Sequence, residues 1–598
     1  MHLQEALKTI SDSRLKPPEA LKVHLACGFT PVHLITFLSA HLTSASAGRP
    51  VDCVTSEYGN LVNALRRIDP DTVDAVAVVV QWNDLDPRLG LRRTGGWQPA
   101  IMDDICRNAP QRLKEIQESV RLISQRTKTV LALPGLNLPP AFSTPTWRLS
   151  TFEASLRQAV MTFARECSEL PMVGVLNEQW LDAALPRSER HDVRGEITQD
   201  SPLRLAYASA LGKGLATLIA PPAPLKGIIT DLDDTLWRGI IGDSGVDGVA
   251  WDPDSGSHNH ALYQQLLESL AASGVLLAVA TKNDPELAAA GLKRSDLLIP
   301  GTRFYPVEAN WSAKSNMVRR ILATWNVGED AVVFIDDNPM EIAQIQSEFP
   351  SMKCLLFPAR DYDKSVKLLS EIRDLFGKHE ITAEDLLRSE SIRRAASASA
   401  EGDSGETNTD AFLAQMEATV DIQFGSDATD PRPLQLINKT NQFNMNGLRV
   451  SGSAWSKLLR DPNAIILVAS YADKYGPLGK VSVAVGNVEG ETLNLQHWVL
   501  SCRAFARRIE YRILEVLFRT LNLNSIQFSY SENDRNKPFS QFLSGLTGGP
   551  VSGSVTITRQ TFDAVCRTLY ERCNVNGYAN DGSVETVFSQ CVSGNQAG

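Results

Sequence analysis

Through its first 220 residues the chain alternates short apolar, β-branched runs with longer stretches of helical period. Lys22 to Cys27, Val73 to Val80, Thr129 to Leu133 and Met172 to Val175 read as strands, and Gln111 to Gln125 repeats its apolar positions at helical spacing. This rhythm predicts an α/β domain with a mainly parallel sheet over residues 1–222. Pro221-Pro222-Ala223-Pro224 cannot continue a helix and marks a boundary. The pattern restarts at Leu225. Apolar runs end at Thr230, Thr281, Ile335 and Phe357, and Lys364 to Phe376 is helical, so a second α/β domain is expected over 225–390. Ala395 to Thr409, AASASAEGDSGETNT, has the composition of a flexible linker, placed at 391–409. A third domain, 410–550, carries strand candidates at Ala464 to Tyr471, Lys480 to Gly486 and Thr492 to Leu500, then an amphipathic helix from Arg508 to Leu521. Residues 551–598 read as a tail of unassigned role.

Composition narrows the class. At 598 residues, three or four domains are expected, and 43% hydrophobic with 21% charged residues is the balance of a folded globular chain. No apolar run approaches the roughly 18 residues a membrane span needs, and no basic head with an apolar stretch opens the sequence, so a cytoplasmic location is expected. The nine cysteines form no CxxC pair and read as free thiols. A net charge of −10 argues against a nucleic-acid partner, whose phosphates require a basic face.

The sharpest chemistry lies where the middle domain's apolar runs stop. Ile228-Ile229-Thr230 delivers Asp231-Leu232-Asp233-Asp234-Thr235, and Val332-Val333-Phe334-Ile335 delivers Asp336-Asp337. Strand ends are where open α/β sheets bind ligands. Gathering these acids costs several kcal/mol of repulsion and desolvation, which a hard divalent ion, Mg²⁺, removes; Asp231, Asp233, Asp336 and Asp337 are the candidate ligands. Thr281 ends another apolar run, with Asn283 close behind, and Lys314 lies in Trp311-Ser312-Ala313-Lys314-Ser315. A hydroxyl and an ammonium are what a phosphoryl group needs for hydrogen bonding and charge neutralisation.

In this order, Asp231-x-Asp233-x-Thr235, Thr281, Lys314 and Asp336-Asp337 resemble the four motifs of the haloacid dehalogenase (HAD) superfamily. The resemblance implies that Asp231 is a nucleophile forming an aspartyl-phosphate, that Asp233 is its general acid/base, and that Thr281 and Lys314 hold phosphoryl oxygens. Thr235 and Asn283 are then candidate substrate contacts. The longer strings from Asp231 to Asp243, Thr281-Lys282-Asn283-Asp284, Asn310-Trp311, Phe334 to Pro339, Ile381 to Asp385, Lys439 to Asn444 and Ser501-Cys502-Arg503 resemble FkbH-like proteins. That family implies loading of a glyceryl unit from 1,3-bisphosphoglycerate, with loss of phosphate, onto the phosphopantetheine thiol of an acyl carrier protein in polyketide or hybrid peptide pathways. Arg238 departs from the Gly usual in the family. The competing readings are a small-metabolite phosphatase without a carrier and a non-catalytic scaffold that binds carrier domains.

In the third domain, the strand, Ser501 to Arg508 and the following helix resemble the pyrophosphate loop of the GNAT fold, although Ala506 and Arg508 replace expected glycines. Cys502 beside Arg503 is a candidate nucleophile for a glyceryl thioester or an inert buried thiol, and Arg503 a candidate contact for the arm. Asn441, Gln442 and Asn444 either bind the acyl group or form a polar turn. Arg503, Arg507, Arg508 and Arg512 form a basic cluster that is either a docking face for an acidic carrier or a set of partners for Glu510 and Glu515. The first domain resembles SGNH hydrolases through Gly59 and Asn83. It has Cys27-Gly28 where a catalytic Ser is expected and no Asp-x-x-His, so it reads as a degenerate hydrolase used for docking, with Trp82, Asn83 and Asp84 the residues of interest. His24, His33 and His41 read as packed or surface residues.

Overall fold

The computed structural model describes the chain except for residues 14–19, 47, 57–58, 95–96, 140–143, 379–380, 382–384, 387–409, 411–412, 429, 475, 502–503, 506, 534–535, 578–585 and 589–598. The expected linker at 391–409 therefore lies outside the described residues. Two compact units are formed, one from Met1–Pro222 with Val450–Arg460, the other from Ala223–Arg449 with Asp461–Gly598.

The first unit is built on a five-stranded parallel sheet: β1 (Leu21–Cys27), β2 (Val51–Thr55), β3 (Ala75–Val79), β4 (Lys128–Ala132) and β5 (Val173–Val175), in the order β2-β1-β3-β4-β5. Strand alternation sorts the side chains between two cores. Leu25, Ala77 and Val130 pack under the helices Val32–Ala45 and Leu205–Ile219. Val76, Val78 and Leu131 pack under Met102–Ser124 and Thr151–Ser168. With both faces covered, β3 reads AVAVV and is buried throughout, as a central parallel strand requires. Edge strand β2, VDCVT, is only partly buried, and so presents no apolar run in the sequence.

A second five-stranded sheet opens the other unit: β6 (Gly227–Thr230), β7 (Leu276–Thr281), β8 (Phe304–Ala309), β9 (Val332–Asp336) and β10 (Lys353–Leu356), all parallel, in the order β10-β9-β6-β7-β8. Ile228, Val279 and Val333 face one core, and Ile229, Ala278 and Phe334 the other. Because β6 lies between β9 and β7, the residues following these three strands meet at one edge of the sheet. The pattern of apolar runs missed β8, which contains Pro306 and sits at the sheet edge, where proline is tolerated.

The remaining strands form a nine-stranded mixed sheet: β11 (Thr419–Phe424), β12 (Phe443–Asn444), β13 (Ala464–Asp473), β14 (Gly476–Glu489), β15 (Thr492–Leu500), β16 (Ser525–Phe528), β17 (Val555–Thr558), β18 (Arg572–Asn576) and β19 (Thr586–Phe588). The helix Ile509–Thr520 follows β15 and buries Ile513, Leu514 and Leu517. The expected tail begins inside this sheet: β17 pairs with β16, and β18 pairs in parallel with β11. Their short runs, VTIT and RCNVN, carry too few apolar residues to signal strands alone.

Candidate phosphoryl-transfer site

The site grows from the ends of β6, β7 and β9. The Asp231 amide donates to the Ile335 carbonyl at 3.0 Å, so the β6–β9 pairing sets the aspartate beside Asp336. Lys314, the first residue of the helix Lys314–Trp325, is buried and spans both, with Nζ 3.0 Å from Asp231 Oδ2 and 2.6 Å from Asp336 Oδ2. Burial pulls the lysine towards neutrality, but Asp231 and Asp336 outweigh it and leave its pKa raised. Burial, followed by the charge of Asp231, pushes Asp336 and Asp337 each up to about 6.

Asp231, Asp336 and Asp337 each offer an oxygen within 4.8 Å of the other two. One ammonium against three carboxylates leaves a formal charge of −2 in a buried place, and Asp231 Oδ1 is buried with no hydrogen-bond partner. Hard oxygen donors, unbalanced charge and an orphaned carboxylate oxygen fit a divalent cation such as Mg²⁺. Asp233, also expected as a ligand, is outside this group. Its carboxylate accepts from Asn283 Nδ2 at 2.9 Å, Trp237 Nε1 at 2.9 Å and the Ile241 amide at 3.2 Å. Burial nevertheless raises its pKa, the direction that suits a proton donor.

Thr281 is buried at the end of β7, and its hydroxyl accepts from Asn283 Nδ2 at 3.0 Å. Asn283 thus links Thr281 to Asp233 and acts as a positioning residue. Thr235, expected at the substrate, is fully buried instead. The left-handed backbone at Asp234 (φ 49°) turns it inward, where its carbonyl pairs with His260 Nδ1 at 2.9 Å. Trp237, which the sequence reading did not single out, helps fix Asp233; its place within the Asp231 to Asp243 string was the available signal. Arg238 is exposed, and its guanidinium donates to the Ser255 carbonyl.

Elsewhere the structure corrects several expectations. Cys502 and Arg503 lie outside the described residues. Asn444 is buried and builds a turn, donating to the Thr440 carbonyl and accepting from the Asn446 and Gly447 amides, so it is committed to the fold rather than to an acyl group. Asn441 is held between Arg449 and Asp330, with half-buried Gln442 next to it. Within the basic cluster, Arg512 is not at the surface: it is 1% exposed and bound to Glu515 at 2.6 Å and Glu571 at 2.9 Å. Arg508 pairs with Asp410, and Arg507 lies 3.6 Å from Asp473. In the first unit, Cys27 is buried and donates to the Phe29 carbonyl, and burial pushes its thiol far up, which disfavours the thiolate. Asp84 lies against Gly28, where an added Cβ would come within 1.9 Å of its Oδ1. His24 and His41 are packed beside Ser56 and Ser209.

The fold is therefore an α/β assembly with a parallel sheet that gathers carboxylates and a lysine at its strand ends. Among solved structures it is similar to the N-terminal part of the protein BF1531 from Bacteroides fragilis, which contains a phosphatase domain and is complexed with Mg. The two share 19% identity over 64% of this chain and 100% of that one, with a TM-score of 0.50. At that identity the likeness concerns the fold alone, over more of the chain than the middle sheet spans. A similarity to the salicylyl-acyltransferase SsfX3 from a tetracycline biosynthetic pathway, at 13% identity over 35% of this chain and 57% of that one, has a TM-score of 0.23 and carries no argument. No model of a known protein family matches the chain, and no curated protein matches it.

Proposed function

We propose that the chain is a Mg²⁺-dependent phosphoryl-transfer enzyme in which Asp231 is the nucleophile. The observation that carries this reading is the buried constellation of Lys314 shared between Asp231 and Asp336, with Asp337 alongside and one Asp231 oxygen unpartnered. Asp231 attacks phosphorus, the bond to the leaving oxygen breaks, and Asp233 delivers the proton that oxygen needs. Asn283 and Trp237 hold Asp233 in place, while Lys314 and the Thr281 hydroxyl receive phosphoryl oxygens. Held by Asp231, Asp336 and Asp337, Mg²⁺ would neutralise charge on the transferring group. Water then attacks the phosphoaspartate, phosphate leaves, and Asp231 is regenerated.

The finer reading rests on the sequence strings shared with FkbH-like proteins. The substrate is a phosphorylated three-carbon acyl donor, 1,3-bisphosphoglycerate: a thiolate attacks the C1 carbonyl and expels the C1 phosphate, Asp231 takes the phosphoryl group of the C3 ester, and the glyceryl unit passes by thioester exchange to the phosphopantetheine thiol of an acyl carrier protein, freeing the first thiol. Cys502 is the proposed thioester carrier, on a GNAT-like third domain, and the first domain is an SGNH-like docking module. Intact-mass spectrometry of a carrier protein incubated with enzyme, Mg²⁺ and 1,3-bisphosphoglycerate tests this. A glyceryl adduct on the carrier is expected, and phosphate release with an unmodified carrier would reduce the protein to a small-metabolite phosphatase.

A further inference from the structure

A second lysine stands at the strand-end edge that carries Asp231, and phosphoryl transfer as described does not use it. Lys282 follows Thr281 at the end of β7. Its side chain is 40% exposed and its Nζ donates to Glu341 Oε1 at 2.5 Å, whereas the Glu341 side chain is 12% exposed. Glu341 lies in the first turn of the helix Pro339–Glu348, which follows Asp336 and Asp337. Because β6 lies between β7 and β9, the ion pair crosses the end of the strand that delivers Asp231. It does so on the face from which Lys314 enters: Ile321 and Ile345, from the helices Lys314–Trp325 and Pro339–Glu348, share one core with Ile229, Ala278 and Phe334.

The unequal exposure of the two partners decides what the pair presents. The acid lies beneath and the ammonium on top. An ammonium has three donor hydrogens, and Glu341 takes one of them, so donors remain for a ligand. Glu341 Oε2 is buried with no hydrogen-bond partner, so the polar contact this carboxylate makes in the chain is the one that holds Lys282. A long side chain held in advance loses less rotamer freedom when a ligand arrives. The transferring phosphoryl group already has Lys314, the Thr281 hydroxyl and the cation that fits the carboxylates, and a further positive charge beside it suits a further negative one. Consecutive Cα atoms are about 3.8 Å apart, so Thr281 and Lys282 match two anionic groups a few bonds apart on one small molecule.

We propose that Lys282, held by Glu341, is a specificity-determining residue that recognises a second anionic group on the phosphate ester; this rests on the phosphoryl-transfer reading of the same edge. Isothermal titration of full-length Asp231→Asn with Mg²⁺ compares three probes. Glycerol 3-phosphate has one anionic group, 3-phosphoglycerate adds a carboxylate, and propane-1,3-diol bisphosphate adds a second phosphoryl group. At least one of the last two is expected to bind tenfold or more tighter than glycerol 3-phosphate, and the larger ratio names the group. In the same background, Lys282→Gln should bring that ratio close to one, and Lys282→Arg, which keeps the charge, should retain it. Lys282→Gln combined with Glu341→Gln leaves no buried carboxylate unpaired and should lose the ratio as the single change does. A lysine that only ties the β7 end to the following helix would change the melting temperature and leave the ratio where it was. Phosphate assayed in the same samples tests the underlying reading separately: release by Asp231→Asn would contradict Asp231 as nucleophile, while the ratio still reports on Lys282. A ratio near one before Lys282 is changed, an unchanged ratio in Lys282→Gln, or no binding of any probe at about 10 mM, where millimolar affinity registers, would overturn the proposal. So would equal weakening of all three probes by Lys282→Gln, which would assign the lysine to the transferring phosphoryl group itself.

Discussion

Two buried charge clusters in the second unit are built from the same kinds of group and come out differently. In the mixed sheet, Arg512 donates to Glu571 Oε1, to the Glu571 carbonyl and to Glu515 Oε2, and Arg519 closes the other Glu515 oxygen at 3.0 Å. Its charge and geometry are satisfied within the chain, and the network ties the helix Ile509–Thr520 to the segment entering β18. At the end of β6, one lysine faces three carboxylates and an oxygen of Asp231 has no partner. Burial alone does not separate structural from functional charge; what separates them is whether the protein supplies the full set of partners. The cluster left incomplete is the one whose donor set fits a cation.

Asp231→Asn should have the largest effect on the incomplete cluster. The amide keeps the shape but is neither nucleophile nor anion, so phosphate release should fall by about 10⁴-fold or more with the melting temperature nearly unchanged; steady-state phosphate assays and calorimetry read both. Arg512→Ala should do the reverse. It leaves Glu515 and Glu571 buried without their partner and should cost about 3–5 kcal/mol of stability in denaturant unfolding, whereas replacing all three by apolar residues should recover most of the loss. Lys314→Ala should raise the transition-state barrier by about 3 kcal/mol, read as a fall in kcat/KM of roughly two orders of magnitude.

The smallest effect sharpens the boundary of the Arg512 network. Burial, with a contribution from Glu571, pushes Glu510 up to about 7, against the lowering influence of Arg567 and Arg508. A folded-state carboxyl above its unfolded value of 4.5 binds more protons when folded, so stability falls as pH rises from about 4.5 to about 7. Glu510→Gln should flatten that slope and stabilise the chain by about 1–2 kcal/mol at pH 8, with little change at pH 4. Thermal melts across that range check it.

The strands that position the phosphoryl site were legible because they are buried on both faces. β6, β7 and β9 are continuous apolar runs, each ending in its chemical group, and the observed strands stop within a residue of the expected ends. Edge and late strands, β2, β8 and β17 to β19, lacked such runs because one face is solvated or the strand is very short. Asp231, Lys314 and Asp336 could be found from order along the chain, since strand ends converge in a doubly wound sheet. The partner choices of Asp233, Thr235 and Arg512 could not. They depend on a left-handed turn at Asp234, on Trp237 folding back, and on Glu571, which is 59 residues from Arg512 and reaches it only through strand pairing. A cluster of arginines on one helix says nothing about which face is covered until β18 is in place.

The proposed mechanism requires Asp231 to take the phosphoryl group. Rapid acid quench of the enzyme turning over a phosphorylated three-carbon donor with Mg²⁺, followed by borohydride reduction and peptide mass mapping, reads it directly. The account predicts conversion of residue 231 to homoserine in the wild-type chain, a product absent from Asp231→Asn. Reduction at a different carboxylate, or wild-type phosphate release by Asp231→Asn, would contradict it.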